Sequence, residues 1–141
     1  MQFILILLRM RGDRMGYRSD VGIALYTKDF NTMIKRAKAL KDKSIYELID
    51  YADKYTADED KVTILYFLDI KWYREFKDAS WIENFIQKVD SVFVRTGEDI
   101  NDNEEMCFNE GCELFEYCRL TRIVDISGNK QVKKDYNLNK L

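Results

Sequence analysis

The sequence predicts a single compact α+β domain, with an antiparallel or mixed sheet of about four to five strands and about three helices. Two observations predict this class. The 141 residues match the usual length of one domain, and 46% of them are apolar, which suffices for one core. Hydrophobic patterns follow in the order β-α-α-β-α-β-β, without the regular strand–helix–strand rhythm of a parallel sheet.

The first two elements are predicted within residues 17–40. Residues 17–26 alternate between large apolar side chains and small or polar ones, which predicts a strand whose small-residue face packs closely. Apolar residues at helical spacing follow in residues 30–40, and Asp29 in front of them predicts the N-cap of a helix. The larger face of the strand carries Val21, Ile23 and Leu25.

The middle of the chain adds a helix, a strand and another helix. Residues 44–52 combine a capping box with a short helical stripe, and residues 56–60 have the composition of an acidic turn. Residues 62–68 are apolar nearly throughout, which indicates a central strand covered on both faces. A second capping box begins the helical stripe of residues 80–89.

The last part of the domain is predicted to be a strand, a loop and a longer strand. Residues 91–96 form the short strand, and residues 97–111 form a long polar, acidic loop. Residues 112–126 alternate again, as one strand or as two joined by a bulge. The domain then spans residues 15–126, and residues 127–141 form a polar tail.

Residues 1–14 have two interpretations. Their apolar run is too short to cross a bilayer, and it predicts an extra short strand. Alternatively, residues 11–15 can be encoded AGG-GGT-GAT-AGA-ATG, which resembles a bacterial ribosome-binding site ahead of a start codon. Residues 1–14 would then be a translated leader and Met15 the natural start.

Composition excludes several function classes. The chain has no histidine, which removes Ser-His and Cys-His nucleophiles, histidine bases and nearly all catalytic zinc sites. Its net charge of −2 disfavours binding to nucleic acid through phosphates. No glycine-rich phosphate loop is present, and we expect no cofactor and no membrane contact. Three cysteines without a CxxC pair predict reduced thiols in a bacterial cytoplasm.

Three segments carry a resemblance to a known family. The first is Gly16-Tyr17-Arg18-Ser19-Asp20-Val21, the second is Lys71-Trp72-Tyr73, and the third runs from Arg95 through Gly97-Glu98-Asp99 to Asn103. Together they resemble a family of small phage- and prophage-encoded proteins over residues 16–126, with Thr96 where the family-like residue is isoleucine. The resemblance implies a compact accessory protein that acts inside an infected bacterium, and it implies no particular chemistry.

The favoured function is therefore non-enzymatic binding to a host protein. An acidic segment in the predicted loop would face a basic surface of that protein. The family context makes a counter-defence inhibitor, of the anti-CRISPR kind, the expected role. The acidic candidates are Glu98, Asp99, Asp102, Glu104 and Glu105.

A nucleotide-binding protein that sequesters a defence signal is the first alternative. Arg18, Trp72, Tyr73 and Arg95 would supply cations and aromatic faces for a phosphate and a base. Arg18 and Asp20 share a strand face, so they could also pair with each other or contact the acidic loop. We favour a buried Trp72 that continues the central strand into the core, because tryptophan is usually largely buried.

A carboxylate- or metal-dependent enzyme is the second alternative. Asp99, Asn101, Asn103 and Glu110 occupy positions 1, 3, 5 and 12 of a calcium-loop template. Position 6 is Glu104, where the sharp turn of such a loop requires glycine. We therefore expect a solvated acidic loop and no metal. The sequence leaves the oligomeric state open.

Overall fold

The computed structural model describes residues 16–118 and the backbone of residues 132–134. Its strands are β1 (Ser19–Tyr26), β2 (Asp53–Ala57), β3 (Val62–Ile70), β4 (Ser91–Gly97), β5 (Asn103–Phe108) and β6 (Val132–Lys134). Its helices are α1 (Thr27–Ala39), α2 (Ser44–Tyr51), α3 (Lys77–Ile86) and a 3-10 helix (Gly111–Glu116). The predicted α+β class is confirmed.

One antiparallel sheet contains these strands in the order β5-β4-β1-β3-β2-β6. β1 lies between β3 and β4, although it precedes both in the chain. The predicted alternation of β1 is confirmed, since Val21, Ile23 and Leu25 join the core on one face and Ala24 joins the core on the other. β3 is the predicted central strand, because it lies between β1 and β2 and is buried along most of its length.

The three α-helices cover one face of the sheet. Each contributes an apolar stripe to a shared core, and burial of one large apolar side chain is worth about 1.5–3 kcal/mol. On the opposite face, Leu114 of the 3-10 helix and Tyr117 pack with Ala24, Val62 and Ile64 in a smaller core. The helix residues of the larger core that are 0% exposed are Met33, Ile34, Ala37, Leu48, Ile49, Ala79, Ile82 and Ile86.

Two strands lie where the sequence predicts turns or loops. β2 takes up part of the predicted acidic turn, and β5 takes up part of the predicted acidic loop. Each is specified by backbone pairing with a neighbouring strand, β3 or β4, and local composition does not report such pairing. The described order through β5 is therefore β-α-α-β-β-α-β-β rather than β-α-α-β-α-β-β.

The predicted strand that starts at Cys112 is replaced by the 3-10 helix. Asn109, with φ at 57°, turns the chain directly after β5, and asparagine tolerates this left-handed conformation better than most residues. Its side-chain amide donates to the carbonyls of Gln87 and Val89, at 3.2 and 2.6 Å. β5 therefore ends at Phe108, and the next residues form no strand.

Helix starts differ from the predicted caps. α1 begins earlier than predicted, so Asp29 lies in its first turn rather than at the N-cap. Asp42 Oδ1 accepts the N–H of Ser44 at 3.0 Å at the start of α2, and this hydrogen bond lowers the pKa of the Asp42 carboxyl. α3 begins at Lys77, so Ser80 lies inside the helix rather than at its cap.

Several predictions concern residues outside those that the structure describes. The extra strand or leader in residues 1–14 lies there, as do residues 119–126 of the predicted long strand. Most of the predicted tail lies there as well. Within that tail, the structure places β6 beside β2.

Two of the three cysteines form a disulfide, which corrects the expectation of three reduced thiols. The turn at Asn109 brings Cys107 of β5 back beside Cys112 of the 3-10 helix, with 5.1 Å between their Cα atoms. Cys118 is a free, buried cysteine.

Reduction of the Cys107–Cys112 disulfide is expected to lower the free energy of unfolding, because the bond restricts the unfolded chain. The loop that it closes is very short, so the expected loss is only about 2 kcal/mol. Urea unfolding with and without dithiothreitol measures this change. The double variant Cys107→Ser, Cys112→Ser is the control and should show no response to the reductant. An identical urea midpoint for oxidised and reduced wild-type protein would contradict the prediction.

The turn between β2 and β3 places three consecutive acidic residues in the left-handed region. The φ angles of Asp58, Glu59 and Asp60 are 53°, 56° and 66°. This conformation costs an L-residue about 1–2 kcal/mol, and glycine adopts it without that cost. Asp60 also accepts a hydrogen bond from the Thr56 hydroxyl at 2.8 Å, so its side chain supports the turn.

Glu59→Gly is therefore expected to raise the free energy of unfolding by about 0.5–1 kcal/mol, after the greater unfolded-state entropy of glycine is subtracted. Thermal or urea unfolding measures this change. Glu59→Val is the matched control and should be destabilising, because a β-branched residue is strained at positive φ. Equal stability of the two variants would show that the conformation of this turn does not limit stability.

Candidate functional site

Polar and charged side chains from distant parts of the chain meet at one end of the sheet. Because the strands are antiparallel, the start of β1 lies beside the ends of β3 and β4, and β5 begins beside the end of β4. We call this the charged end; it comprises residues 16–20, 69–74 and 95–104. It contains most of the binding candidates that the sequence predicts.

Arg95 is the most connected side chain at the charged end. Its guanidinium is only 11% exposed and forms a two-pronged contact with the Asp102 carboxylate, at 2.6 and 3.2 Å. It also donates from Nε to Glu104 and from Nη1 to the Ser19 hydroxyl. Arg95 thereby ties β4 to the beginning of β1, to the last residue of the following turn and to the start of β5.

Arg74 connects Glu104, a partner of Arg95, to Glu83 and through it to the buried Trp72. Its Nη2 donates to Glu104 at 2.7 Å, and its Nε donates to Glu83 at 3.0 Å. The other oxygen of Glu83 accepts the indole N–H of Trp72 at 2.7 Å. Glu83, Arg74, Glu104, Arg95 and Asp102 therefore form one continuous arginine–carboxylate chain.

The arginine–carboxylate chain holds two of its carboxyls, those of Asp102 and Glu104, in the charged form. Hydrogen bonds from Arg95 and Tyr17 lower the pKa of the Asp102 carboxyl. Burial opposes ionisation of Glu104, but hydrogen bonds from Arg95 and Arg74 outweigh it and lower the pKa of that carboxyl as well. General acid–base catalysis near neutral pH favours groups whose pKa lies near the working pH. The pKa values of Asp102 and Glu104 are instead lowered, which moves them further from neutral pH.

The β4–β5 turn, residues 98–102, is held in one conformation by several hydrogen bonds. The Tyr17 hydroxyl accepts the N–H of Asp99 at 2.9 Å and donates to Asp102 Oδ2 at 2.7 Å. Backbone bonds join Gly97 N–H to the Asp102 carbonyl and Asp102 N–H to the Asp99 carbonyl. Ile100 lies in this turn between Asp99 and Asn101 and is 62% exposed.

Trp72 is buried as favoured, but it does not continue the central strand, because β3 ends at Ile70. It is 5% exposed and packs between Phe67 and Phe93, with ring centroids at 5.1 and 6.1 Å. Tyr73 lies nearer the surface, where its hydroxyl accepts the N–H of Tyr17 at 2.7 Å. Neither aromatic ring is arranged as a free platform on which a base could stack.

Arg18 and Asp20 support a β-bulge at the end of β3. The register of β1 and β3 shifts between Ser19 and Val21, and Asp69 opposite them has a φ of 52°. Asp20 Oδ1 accepts the N–H of Asp69 at 2.7 Å, and Arg18 Nη1 donates to the Asp69 carbonyl at 3.3 Å. These side chains satisfy backbone groups that the bulge removes from the strand pairing.

The sheet separates the residues of the predicted nucleotide pocket. Arg95 pairs across the strands with Val21, whose side chain belongs to the helix-covered face, whereas Asp20 is displaced by one residue and lies on the other face. Arg18 contacts Asp69 beside Asp20. The structure thus brings the predicted residues to one end of the sheet but not into one pocket.

The calcium-loop residues are also separated. Asp99 and Asn101 lie in the turn, Asn103 begins β5, and Glu110 follows its end. A strand of this length spans roughly 20 Å, so the turn and Glu110 cannot share an ion. Within residues 16–118, no group of three or more histidine, cysteine, aspartate or glutamate side chains is arranged to hold a metal.

Sequence reasoning missed several residues of the charged end. The sequence favours a solvated Arg74 at the end of the central strand, assigns Glu83 only to a helix cap, and gives Asp69 no role. Tyr17 is grouped with Arg18 and Asp20 without an assigned contact, and Ile100 has no prediction of its own. Ile100 had the clearest available signal, because it is an apolar residue inside a strongly acidic segment.

Comparison of the chain with protein-family models, with curated proteins and with solved structures finds no match. The function is therefore argued from the geometry of the charged end. Among the described helices, none combines the length and the apolar character needed to cross a membrane.

Acid is expected to destabilise the folded protein through Asp102 and Glu104. Their pKa values are lower in the folded state than in the unfolded chain, so the ionised pairs stabilise the fold above the ordinary carboxyl pKa of about 4. This stabilisation is lost as the pH falls through the lowered values. The free energy of unfolding should therefore decrease between about pH 4.5 and pH 2.

Urea unfolding at a series of pH values measures this decrease. Arg95→Met should be less stable than the wild type at pH 7 and should lose less further stability in acid, because both carboxylates have lost a cationic partner. Lys35→Met, which removes an exposed cation of α1, is the matched control and should keep the wild-type acid profile. Parallel acid profiles for Arg95→Met and the wild type would contradict this assignment.

Proposed function

We propose that this chain is a non-enzymatic phage or prophage accessory protein that binds a host protein in the bacterial cytoplasm and inhibits a defence system. The β4–β5 turn is the proposed recognition element. The observation that carries the proposal is an exposed Ile100 on a turn fixed by Tyr17, Asp102 and Arg95. An exposed apolar residue on a fixed support is the arrangement of an interface anchor.

Rigidity of the turn supports a binding role. A loop that is already ordered loses little conformational entropy when it docks, so more of the contact energy appears as affinity. Here the ordering comes from buried and half-buried groups behind the turn, while the residues at its tip face outward. The exposed residues of this tip are Glu98, Asp99, Ile100 and Asn101.

The distribution of charge narrows the chemistry of the partner. Asp102 and Glu104 are neutralised by Arg95 and Arg74, so they add little to the outer field of the turn. Within the part of the chain that the structure describes, the carboxylates of Glu98 and Asp99 form no hydrogen bond or ion pair with a side chain. The turn therefore suits a shallow apolar pocket with a basic rim on the host protein.

The same contacts weigh against the two alternatives. A nucleotide pocket would need Arg95 and Trp72, but Arg95 is committed to carboxylates and Trp72 to the core. An acid–base enzyme would need a carboxyl whose proton is exchanged near neutral pH, and the arginines favour the ionised forms of Asp102 and Glu104. Binding through the exposed turn requires neither a free Arg95 nor a carboxyl that exchanges its proton near neutral pH.

Ile100→Ala is expected to weaken host-protein binding about thirtyfold, since truncation of a hot-spot anchor costs about 2 kcal/mol. Immobilised wild-type protein first captures the partner from a lysate of the bacterial host. Affinity for the purified partner is then measured for the wild type and the variants. Leu68→Ala is the matched control, because Leu68 is the other exposed large apolar residue within residues 16–118, 49% exposed and outside the turn.

The contribution of charge to partner binding is measured with the double variant Glu98→Gln, Asp99→Asn. This double variant should slow association and reduce its salt dependence. In cells, the wild type should raise phage plating on a defended host and Ile100→Ala should not. A partner that binds Ile100→Ala and the wild type equally well would overturn the assignment of the turn, and the absence of any partner and any plating effect would overturn the function.

A further inference from the structure

The disulfide between β5 and the 3-10 helix joins an exposed residue to a half-buried one. Cys112 is exposed, whereas Cys107 is half-buried and packs against the smaller core. Thiol–disulfide exchange begins when a thiolate attacks one of the two sulfurs, and its rate depends on access to that sulfur. A thiolate from solution therefore reaches Cys112 more readily than Cys107.

The turn between the two cysteines is held by contacts that do not involve the disulfide. The Asn109 side chain donates to the carbonyls of Gln87 and Val89, at 3.2 and 2.6 Å. The N–H of Glu110 donates to Asp90 Oδ1 at 3.0 Å. These hydrogen bonds attach the turn to the segment between α3 and β4, so the turn keeps its partners when the sulfur–sulfur bond opens.

The 3-10 helix is also attached to the sheet independently of the disulfide. Gly111 packs so closely on Ser91 that an added Cβ would collide with the backbone of that residue. Leu114 is 1% exposed in the smaller core, and Glu113 accepts a hydrogen bond from the Tyr26 hydroxyl. These contacts hold the start of the 3-10 helix beside the end of β5.

The two thiols therefore stay close together after reduction. Strand pairing with β4 fixes Cys107 opposite Val92, and the 3-10 helix fixes Cys112. Two groups held near each other have a high effective concentration, so the bond closes again when an oxidant is present. Disulfides in a reducing cytoplasm are usually transient and serve catalysis or redox sensing.

We propose that Cys107 and Cys112 form a reversible redox site that exchanges with small thiols of the glutathione class. The inference rests on the proposed function only for the cytoplasmic compartment. A glutathione thiolate attacks the Cys112 sulfur, forms a mixed disulfide there and releases the Cys107 thiolate, which takes up a proton. A second glutathione thiolate attacks the sulfur of the bound glutathione and releases Cys112 as a thiolate, which is protonated in turn. One protein disulfide and two glutathione molecules thus become one protein dithiol and one glutathione disulfide.

The first test follows exchange on the purified full chain. The protein is incubated with mixtures of glutathione and glutathione disulfide and alkylated in the folded state with N-ethylmaleimide, and mass spectrometry locates the modified thiols. We expect modification of Cys107 and Cys112 in excess glutathione, none in excess glutathione disulfide, and full return between the two forms. Cys118→Ala is the control and should exchange like the wild type, because Cys118 is 0% exposed.

Single variants identify the sulfur that is attacked. In Cys107→Ser, glutathione disulfide should form a mixed disulfide with Cys112. In Cys112→Ser, the same reaction at Cys107 should be slower on the order of tenfold, because Cys107 is half-buried. Mass spectrometry measures both rates, and a faster reaction at Cys107 would overturn the assigned order of attack.

A further variant tests whether the turn holds the thiols together. Asn109→Gly keeps the left-handed conformation accessible and removes the side-chain amide, so it should slow re-formation of the bond on the order of tenfold. Amide shifts of the 15N-labelled wild type should change on reduction near residues 105–114 and stay unchanged in the β4–β5 turn. Unchanged re-oxidation of Asn109→Gly would contradict the role of the turn.

The redox site and the proposed function can fail separately. A disulfide that resists glutathione, a loss of amide dispersion on reduction, or a bond that does not re-form would overturn the redox site. If exchange occurs as expected but no host protein is captured, the proposed function fails while the redox site stands. If the disulfide resists glutathione and Ile100→Ala still loses the partner, only the redox site fails.

Discussion

Arg95 provides the contact on which the charged end depends. Its nearly buried guanidinium joins Asp102 and Glu104, which lie on the segment that follows β4. A buried charge without its partners is strongly unfavourable, so this arginine fixes where β5 begins and how the turn is closed. Tyr17 and Arg74 then attach the same carboxylates to the start of the domain and to α3. The exposed tip of the turn is a consequence of the groups packed behind it.

Local hydrophobic patterns were sufficient for the parts of the fold that depend on burial. β1 alternates because one of its faces meets the helices, and β3 is apolar because both of its faces are covered. Trp72 follows the same logic, since its large ring is buried between Phe67 and Phe93. These features depend on which side chains avoid water, and a single sequence records that directly.

Features that depend on strand register could not be predicted from local pattern. β5 is mostly polar, and it is a strand because β4 supplies hydrogen bonds to its backbone. Arg74 lies between β3 and α3, and Glu104 lies in β5, 30 residues further along the chain, so only the folded chain brings them together. The sequence favours a binding role for Arg18 and Asp20, because they are charged and lie two residues apart on one strand. Their contacts with Asp69 follow from a bulge that adds a residue to β3, and no short window of sequence reveals it.

The position of β1 has a consequence for synthesis of the protein. This strand leaves the ribosome before both of its neighbours in the sheet, β3 and β4, which end at residues 70 and 97. At about 5–20 residues per second, β1 waits on the order of ten seconds for its second neighbour. During that interval its apolar face has α1 and α2 as covering elements but lacks a completed sheet. Nascent chains of this protein are therefore suited to capture by a ribosome-associated chaperone, and a translational pause before residue 97 would prolong that exposure.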